Sequence, residues 1–337
     1  MSKIYLLPAI LLGILMLFTS CGNSEASGTP EEILSKKVYS KVITSYDSVY
    51  DFHEGVAIVR FDNKEGAIST KGVEIIPCQY ESLNHCSDGM ILYRESDDSY
   101  NYKYGYLNAK GDVVVPAKYP NAYDFSDGLG RVAEKKENGW ENLYGFIDKT
   151  GEVVIPIQYE NAANFSEGLA EVYINSRNDW GYINKKGELA FTGTFDTTNK
   201  FSEGVACVIK GNKSMVINTK GEFVVTLGSD ATFVDEYYKE GVIPIVKEVG
   251  KKLKFGYINT KGEEVLPFEY DYAEGFEDGE AAVIKDKKIL IINHKGEVVE
   301  EVSGEMLEDM IDGANALMKA ALGVASAADD DDDNDWW

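Results

Sequence analysis

Short runs of alternating residues recur along the chain and predict β-strands. Runs such as "VAIV", "LAEV", "VACV" and "EAAV" follow a glycine and carry a small residue second and valine fourth. A period of two is that of a strand with one buried face. A second type of run, "YGYLN", "YGFID", "WGYIN" or "FGYIN", places two aromatic rings at alternate positions around a glycine. We expect the two types of run to be neighbouring strands, with the large rings packed beside the small side chains.

The turns between these strands recur at a regular spacing. A short turn ending in glycine opens each unit, and these glycines are Gly55, Gly89, Gly128, Gly168, Gly204, Gly241 and Gly279. Their separations of 34, 39, 40, 36, 37 and 38 residues are the signature of a repeat architecture. A later turn, such as "NAKG", "DKTG" or "NHKG", suits a type I turn closed by a left-handed glycine. The strand after it is expected to end at a proline, namely Pro77, Pro116, Pro156 or Pro267.

These elements predict an all-β domain over residues 38–302, built from seven tandem three-stranded β-meanders of about 34–40 residues each. An open repeat stack is favoured over a seven-bladed β-propeller, because propeller blades usually have four strands. Residues 303–328 predict a short C-terminal α-helix that caps the last repeat, with a partner-binding helix as the alternative. Residues 329–337 form an acidic tail that we expect to be disordered.

The aromatic–glycine pair resembles the repeat of the WG-repeat family, and the resemblance covers roughly residues 38–302. Tryptophan occupies the pair only at Trp180–Gly181, and Ser214 and Ile289 fall near the place of the glycine in the fifth and seventh copies. Proteins of this family are common in bacterial envelopes and secretions, and most have no known function. The resemblance therefore implies a fold class and little chemistry.

The pattern of the N-terminal segment predicts a targeting signal rather than part of the folded domain. Lys3 precedes an apolar run, Ile4–Phe18, and small residues lead from there to Cys21. Residues 1–20 resemble the signal peptide of a bacterial lipoprotein, although Phe18 stands where leucine is usual. The resemblance implies that Cys21 is lipidated, that residues 21–37 are a flexible tether, and that the protein is anchored in the bacterial cell envelope, periplasmic or surface-exposed. An ordinary cleaved signal or an uncleaved membrane anchor is the alternative.

Charge and residue chemistry narrow the functional classes. With 33 basic and 57 acidic residues, the net charge of −24 disfavours nucleic acid and any membrane contact other than the lipid anchor. His53, His85 and His294 replace ordinary turn residues without a metal-ligand spacing, so we expect no metal site, no catalytic residue and no cofactor. A buried thiol is expected at Cys86, with a Cys78–Cys86 disulfide as the alternative.

A carboxylate precedes the opening glycine of every unit. These residues are Glu54, Asp88, Asp127, Glu167, Glu203, Glu240 and Asp278. Turn chemistry beside a left-handed glycine is the favoured interpretation, and a ladder of cation sites is the alternative.

The favoured function is a non-catalytic binding or scaffolding module for protein or glycan. Two variable loops, Glu95–Lys103 and Glu134–Asn142, are polar and carry aromatic residues. Aromatic residues stack on sugars and fill interface pockets, and the candidates are Tyr100, Tyr102, Trp140 and Trp180. The alternative is an envelope enzyme such as a glycosidase, with Asp97 and Glu137 facing each other across a cleft about 5–10 Å wide. The sequence leaves the ligand and the oligomeric state open.

Overall fold

The computed structural model describes residues 45–302 apart from 97–100, 138–140, 175–178 and 192. The predicted signal peptide, tether, C-terminal helix and acidic tail therefore lie outside the described residues. Every regular element in the described part is a β-strand, so the all-β prediction is confirmed. Among these residues no helix is long and apolar enough to cross a membrane.

The fold divides into two compact units. Within the described residues, the first, called the N-terminal unit, comprises residues 45–202 and Thr219–Glu222. The second, called the C-terminal unit, comprises Glu203–Asn218 and residues 223–302 of the described part.

Antiparallel strands that follow one another in the chain also lie side by side in the N-terminal unit. Strands β1–β4, β5–β8 and β9–β12 form three four-stranded sheets, and β13 pairs with β14 in a fourth. Isolated bridges from Trp180 to Phe195 and from Ile183 to Leu189 continue the fourth sheet outward. The strands are β1 (Ser48–His53), β2 (Val56–Phe61), β3 (Lys64–Ser69), β4 (Glu74–Tyr80), β5 (Ser82–Leu83), β6 (Met90–Ser96), β7 (Tyr102–Asn108), β8 (Val113–Tyr119), β9 (Asn121–Ser126), β10 (Leu129–Lys135), β11 (Asn142–Ile147), β12 (Val153–Tyr159), β13 (Leu169–Tyr173), β14 (Trp180–Asn184) and β15 (Thr197–Thr198).

The C-terminal unit repeats this pattern. Strands β16–β18 lie side by side, and β19–β22 and β23–β26 form two further four-stranded sheets. The strands are β16 (Val205–Lys210), β17 (Lys213–Asn218), β18 (Phe223–Thr226), β19 (Ala231–Phe233), β20 (Val242–Val249), β21 (Lys252–Asn259), β22 (Glu264–Tyr270), β23 (Tyr272–Ala273), β24 (Glu280–Lys285), β25 (Lys288–Asn293) and β26 (Val298–Val302).

The prediction of three strands per repeat is wrong. Each complete sheet has a further strand before the opening turn, and it can be as short as β5 or β23, with two residues each. These short strands pair with the strand that follows the opening glycine, as Leu83 pairs with Tyr93. The repeating unit is therefore a four-stranded antiparallel sheet, and these sheets follow one another along the chain.

The prolines lie inside strands, which corrects their predicted place at strand ends. Pro77 stands within β4, between Glu74 and Tyr80, and β22 likewise continues past Pro267. Both strands are at the edge of their sheets. Proline has no N–H to donate, and an edge strand tolerates this because one of its sides has no partner strand. The pairing of β4 with β3 is also irregular around Ala67, so the edge strand bulges at this point.

The core lies between successive sheets, and a repeated ring pair marks it. Tyr106 meets Phe125 of the next repeat edge to face, with ring centroids 4.9 Å apart, and Tyr257 meets Phe276 at 5.1 Å. Phe146 contacts Phe165 in the same way at 4.8 Å. The two types of run are neighbouring strands, as predicted, and their register places the small residue opposite an aliphatic one, as Ala57 lies opposite Ile68. The small residues still belong to the same core clusters as the rings, as Ala170 does with Phe146.

Candidate functional site

The opening turns show what the carboxylates before the opening glycines do. Glu54 has a φ of 51° and Gly55 a φ of 80°, and the same succession occurs in all seven repeats. Two consecutive residues in the left-handed region make a tight hairpin turn, so the turn interpretation is confirmed. In the described part of the chain, no group of three or more His, Cys, Asp or Glu residues is arranged to hold a metal ion.

The same carboxylates connect one repeat to the next. Oδ2 of Asp88 accepts a hydrogen bond from the N–H of Gly128 at 2.6 Å, and Asp127 accepts one from Gly168 at 2.5 Å. In the C-terminal unit, Glu203 accepts the N–H of Gly241 at 2.7 Å. We call these contacts the carboxylate–glycine links. Each satisfies a backbone donor in a turn and ties two sheets together.

Of the four aromatic contact candidates, the structure describes two. Tyr102 lies at the start of β7 and is 45% exposed, and the guanidinium carbon of Arg94 is 4.3 Å from its ring centroid. Trp180 begins β14, where its ring packs edge to face on Tyr173 with centroids 4.2 Å apart. The two candidates belong to the second and fourth sheets. Tyr100 and Trp140 lie outside the described residues.

A cleft of ≈ 260 Å³ opens beside Tyr102, between the second and third sheets of the N-terminal unit. We call it the Arg94 cleft. It combines a cation, two tyrosine side chains and the polar side chains of a serine and an asparagine. Its lining residues are Ser82, Asn84, Leu92, Tyr93, Arg94, Tyr104 and Ala122.

The corresponding space between the third and fourth sheets is filled. Arg131 stands at the third position after its opening glycine, which Leu92 occupies in the preceding repeat. Its guanidinium carbon lies 3.5 Å from the ring centroid of Tyr123 and 5.7 Å from that of Tyr144, and Nη1 donates to the carbonyl of Ala162. Leu92 is smaller than Arg131, so the Arg94 cleft stays open in the preceding repeat.

The polar groups of the Arg94 cleft are only partly engaged. The buried Nε of Arg94 has no hydrogen-bond partner among the described residues. Nδ2 of Asn84 donates to Asp124 at 2.9 Å, and the hydroxyl of Tyr93 accepts the N–H of Ala117 at 2.9 Å. Burial raises the pKa of Tyr93, so this hydroxyl stays protonated and neutral over the physiological range. The cleft thus offers donors and aromatic faces.

The remaining expected residues take separate positions. Glu137, one half of the proposed glycosidase pair, is exposed in its loop, and Asp97 lies outside the described residues. Cys78, Cys86 and Cys207 are all free thiols, which confirms the buried thiol at Cys86. Its thiol donates to Oε2 of Glu54 at 3.5 Å.

Sequence reasoning missed a carboxylate pair in the C-terminal unit. Asp235 stands where other repeats have Ala122, Ala162 or Ala273, and its Oδ2 lies against the backbone of Gly275. Burial raises the pKa of Asp235 to about 6. Burial, together with the charge of Asp235, raises the pKa of Glu274 to about 6 as well. The only indication in the sequence was an acidic residue at a repeat position that alanine holds in several other repeats.

The profile of the WG containing repeat matches residues 42–64, 66–97, 104–140, 144–177, 180–213 and 255–288, together more than half of the chain. The chain belongs to the WG-repeat family. This confirms the family resemblance that the aromatic–glycine pairs indicated. No curated protein matches the sequence significantly.

Solved structures resemble this WG-repeat chain only distantly. A eukaryotic initiation factor shares 8% identity over 76% of this chain and 88% of its own, with a TM-score of 0.40. Hsv2p of Kluyveromyces lactis shares 10% over 76% and 98%, with a TM-score of 0.40. Oligopeptidase B from Leishmania major shares 7% over 83% and 52%, also with a TM-score of 0.40. Likenesses at this level carry no argument about function.

Proposed function

We propose that this WG-repeat protein is a non-catalytic binding and scaffolding module for protein or glycan, and that the Arg94 cleft takes one neutral sugar unit of a glycan. The observation that carries the proposal is that this cleft is open, whereas Arg131 and Tyr123 fill the corresponding space one repeat later. An open space lined by aromatic rings and a few polar groups is a common form of ligand site.

The chemistry of the cleft favours a sugar ring. The ring of Tyr104 suits stacking on a pyranose, and Arg94, Asn84 and Ser82 can hydrogen-bond its hydroxyl groups. Tyr102 supports the site from outside, because its ring packs against the guanidinium of Arg94. Its volume of ≈ 260 Å³ lies just below the range of about 300–1,000 Å³ for drug-sized ligands, so a single ring fits better than a long segment.

Charge favours a neutral sugar over an acidic one. The chain carries a net charge of −24, which repels polyanions at a distance even though Arg94 is locally positive. The lining residues supply no carboxylate, whereas a glycosidase needs two across the scissile bond. This supports binding rather than hydrolysis.

We place the protein in the bacterial cell envelope as a lipoprotein anchored through Cys21. The support is the sequence alone: Lys3, the apolar run Ile4–Phe18 and the small residues before Cys21. A glycan-binding repeat domain behind a tether would then face envelope polysaccharide or secreted glycoprotein.

A panel of immobilised neutral oligosaccharides, followed by calorimetry on the ones that bind, tests the cleft. We expect Arg94→Ala and Tyr102→Ala each to weaken binding by about tenfold, which is about 1.4 kcal/mol. Arg60→Ala and Tyr50→Ala are matched controls. Arg60 holds the same repeat position as Arg94, and Tyr50 is 47% exposed, close to the 45% of Tyr102.

Both control variants should bind like the wild type. The proposal is wrong if no glycan binds, or if the Arg94 and Arg60 variants lose affinity equally. Binding only to protein ligands in a parallel panel would leave the module role standing and remove the sugar from the cleft.

A further inference from the structure

Two histidines from consecutive repeats meet on the surface of the N-terminal unit. The ring centroids of His53 and His85 are 4.7 Å apart, and the ring planes are inclined by 41°. Both side chains are exposed. Nothing in the sequence pairs these two histidines, because they lie in different repeats and share no ligand motif.

Three coordinated differences from the other repeats produce this contact. His53 takes the repeat position that Ser87 and Ser126 hold in the next two repeats. The hydroxyl of Ser87 donates to the carbonyl of Phe125, and that of Ser126 donates to the carbonyl of Phe165. His85 immediately precedes Cys86, and Cys86 stands where other repeats have phenylalanine. The serine-to-carbonyl hydrogen bond is thereby replaced by an imidazole pair.

The ring nitrogens of this pair are available. Among the described residues, neither His53 nor His85 has a hydrogen-bond partner, although each neutral ring carries one donor and one acceptor nitrogen. His294 is different: its Nε2 lies 2.7 Å from Oε2 of Glu240, and its ring stacks on Phe276 at 4.0 Å.

The distance between the rings suits a shared ion. A metal ion bound to an imidazole nitrogen at about 2.1 Å lies about 3.2 Å from the ring centroid. The two centroids are 4.7 Å apart, which is less than twice this distance, so the rings lie close enough for one ion to reach both. Imidazole is a preferred ligand of Ni²⁺, Cu²⁺ and Zn²⁺, and water completes such a two-ligand surface site.

We propose that His53 and His85 form a surface site for a divalent transition-metal ion that bridges the first and second repeats. The site is separate from the Arg94 cleft and does not depend on the proposed glycan function. Because the ligands come from two sheets, the ion also stabilises their contact when it binds.

Calorimetric titration of the full-length chain, carrying no polyhistidine tag, with NiCl₂ tests the site. We expect one ion to bind the wild type, and His53→Ala or His85→Ala to lower the affinity by about tenfold or more, because a chelate becomes a single-imidazole ligand. His294→Ala is the matched control and should keep the wild-type affinity. Circular dichroism with EDTA present should show that all variants are folded.

A second readout identifies the ligands directly. With CuCl₂, the electron paramagnetic resonance spectrum of the wild type should carry couplings from two imidazole nitrogens, and that of either pair variant from fewer. A double variant that combines His53→Ala with His85→Ala completes the test. If it binds Ni²⁺ with the wild-type affinity, the ion lies elsewhere, for example on the aspartates of the tail, and the proposal is overturned. Failure of the wild type to bind Ni²⁺ would overturn it as well.

Discussion

Oε2 of Glu54 accepts the backbone N–H of Gly89 at 2.7 Å, so the opening turn of one repeat holds the opening turn of the next. Oε1 of the same carboxylate accepts the N–H of Asp88 at 3.0 Å. The hydrogen bond from Gly89 is the main reason that the pKa of Glu54 is lowered. The contact explains why a carboxylate recurs before the glycine: the turn places it where the next turn presents a free donor.

Replacing Glu54 should weaken the join between the first two sheets. We expect Glu54→Ala to lower the free energy of unfolding by about 1 kcal/mol, since water can reach the freed N–H groups, and Glu54→Gln to cost less because an oxygen acceptor remains. Urea unfolding measures both. The link stabilises the ionised carboxylate, so the difference from wild type should be full at neutral pH and shrink as the pH falls below about 4.

The exposed loop residue Glu137 supplies the control for this prediction. Glu137→Ala should change the unfolding free energy by less than about 0.5 kcal/mol. Equal stability of the Glu54 and Glu137 variants at pH 7 would show that the carboxylate–glycine links add nothing.

Gly66 holds the repeat position that lies between two aromatic residues in other repeats, and it should tolerate no side chain. A Cβ on Gly66 would lie 2.5 Å from the carbonyl oxygen of Ile76 and 2.7 Å from the nitrogen of Cys78, both backbone atoms of the edge strand β4. We expect Gly66→Ala to lower the unfolding free energy by about 3 kcal/mol, because the paired strand must move.

Gly250→Ala is the comparison for this steric prediction. Gly250 has a φ of 70° and open space where its Cβ would be, so alanine there should cost only about 1 kcal/mol of backbone strain. If thermal or urea unfolding gives the two variants the same stability, close approach of β4 is not the reason for the glycine.

Local patterns predicted the hairpins of this fold well and the first strand of each sheet poorly. The second turn forms as expected: Gly111 donates to Asn108, and Asn108 in turn to Asp112, with Gly111 at a φ of 88°. Some of these first strands are very short, and β5, with two residues, has too few to show a period of two. Its place is set by pairing with β6, which no sequence window contains.

The candidate site could be predicted only in part for a related reason. Tyr102 was accessible to sequence reasoning because it belongs to a connection of variable length, although the structure places it at the start of β7. Arg94 and Asn84 could be recognised as site residues only from the structure. It shows that they line a cleft between the second and third sheets, where Leu92 stands in place of an arginine. His53 and His85 likewise required the register between consecutive repeats.

Stability of the C-terminal unit should fall as the pH rises from about 4 to about 7. Burial raises the pKa of Asp235 to about 6, above the ordinary aspartate value of about 3.9, so the unfolded chain ionises first. The native state then holds more protons across this window, and deprotonating it costs stability. The charge of Lys239 lowers the pKa of Asp235 and partly offsets the effect of burial, whereas the charge of Glu236 raises this pKa further.

Asp235→Asn removes the ionisation and tests this explanation. The variant should be more stable than wild type by about 1–3 kcal/mol at pH 8, with a flatter dependence on pH between 4 and 7. Asp286→Asn, in an exposed turn, should leave the pH profile unchanged. Parallel profiles for the wild type and Asp235→Asn, measured by urea unfolding at several pH values, would rule out a role for Asp235.

Loss of Cys21 should release the protein from the membrane fraction. A lipoprotein signal requires a cysteine thiol for lipidation, so Cys21→Ser should yield a chain without a lipid-modified N-terminal peptide. Cell fractionation and mass spectrometry of that peptide measure the effect in a bacterial host. A Cys21→Ser chain that stays membrane-bound would favour the uncleaved anchor.

The most direct test of the central claim is a crystal structure of the protein with a neutral oligosaccharide that it binds. We predict a sugar ring in the Arg94 cleft, stacked on Tyr104, with hydroxyl groups within hydrogen-bond distance of Arg94 and Asn84. A sugar bound at another surface, with the Arg94 cleft holding only water, would contradict the assignment of this cleft as the binding site.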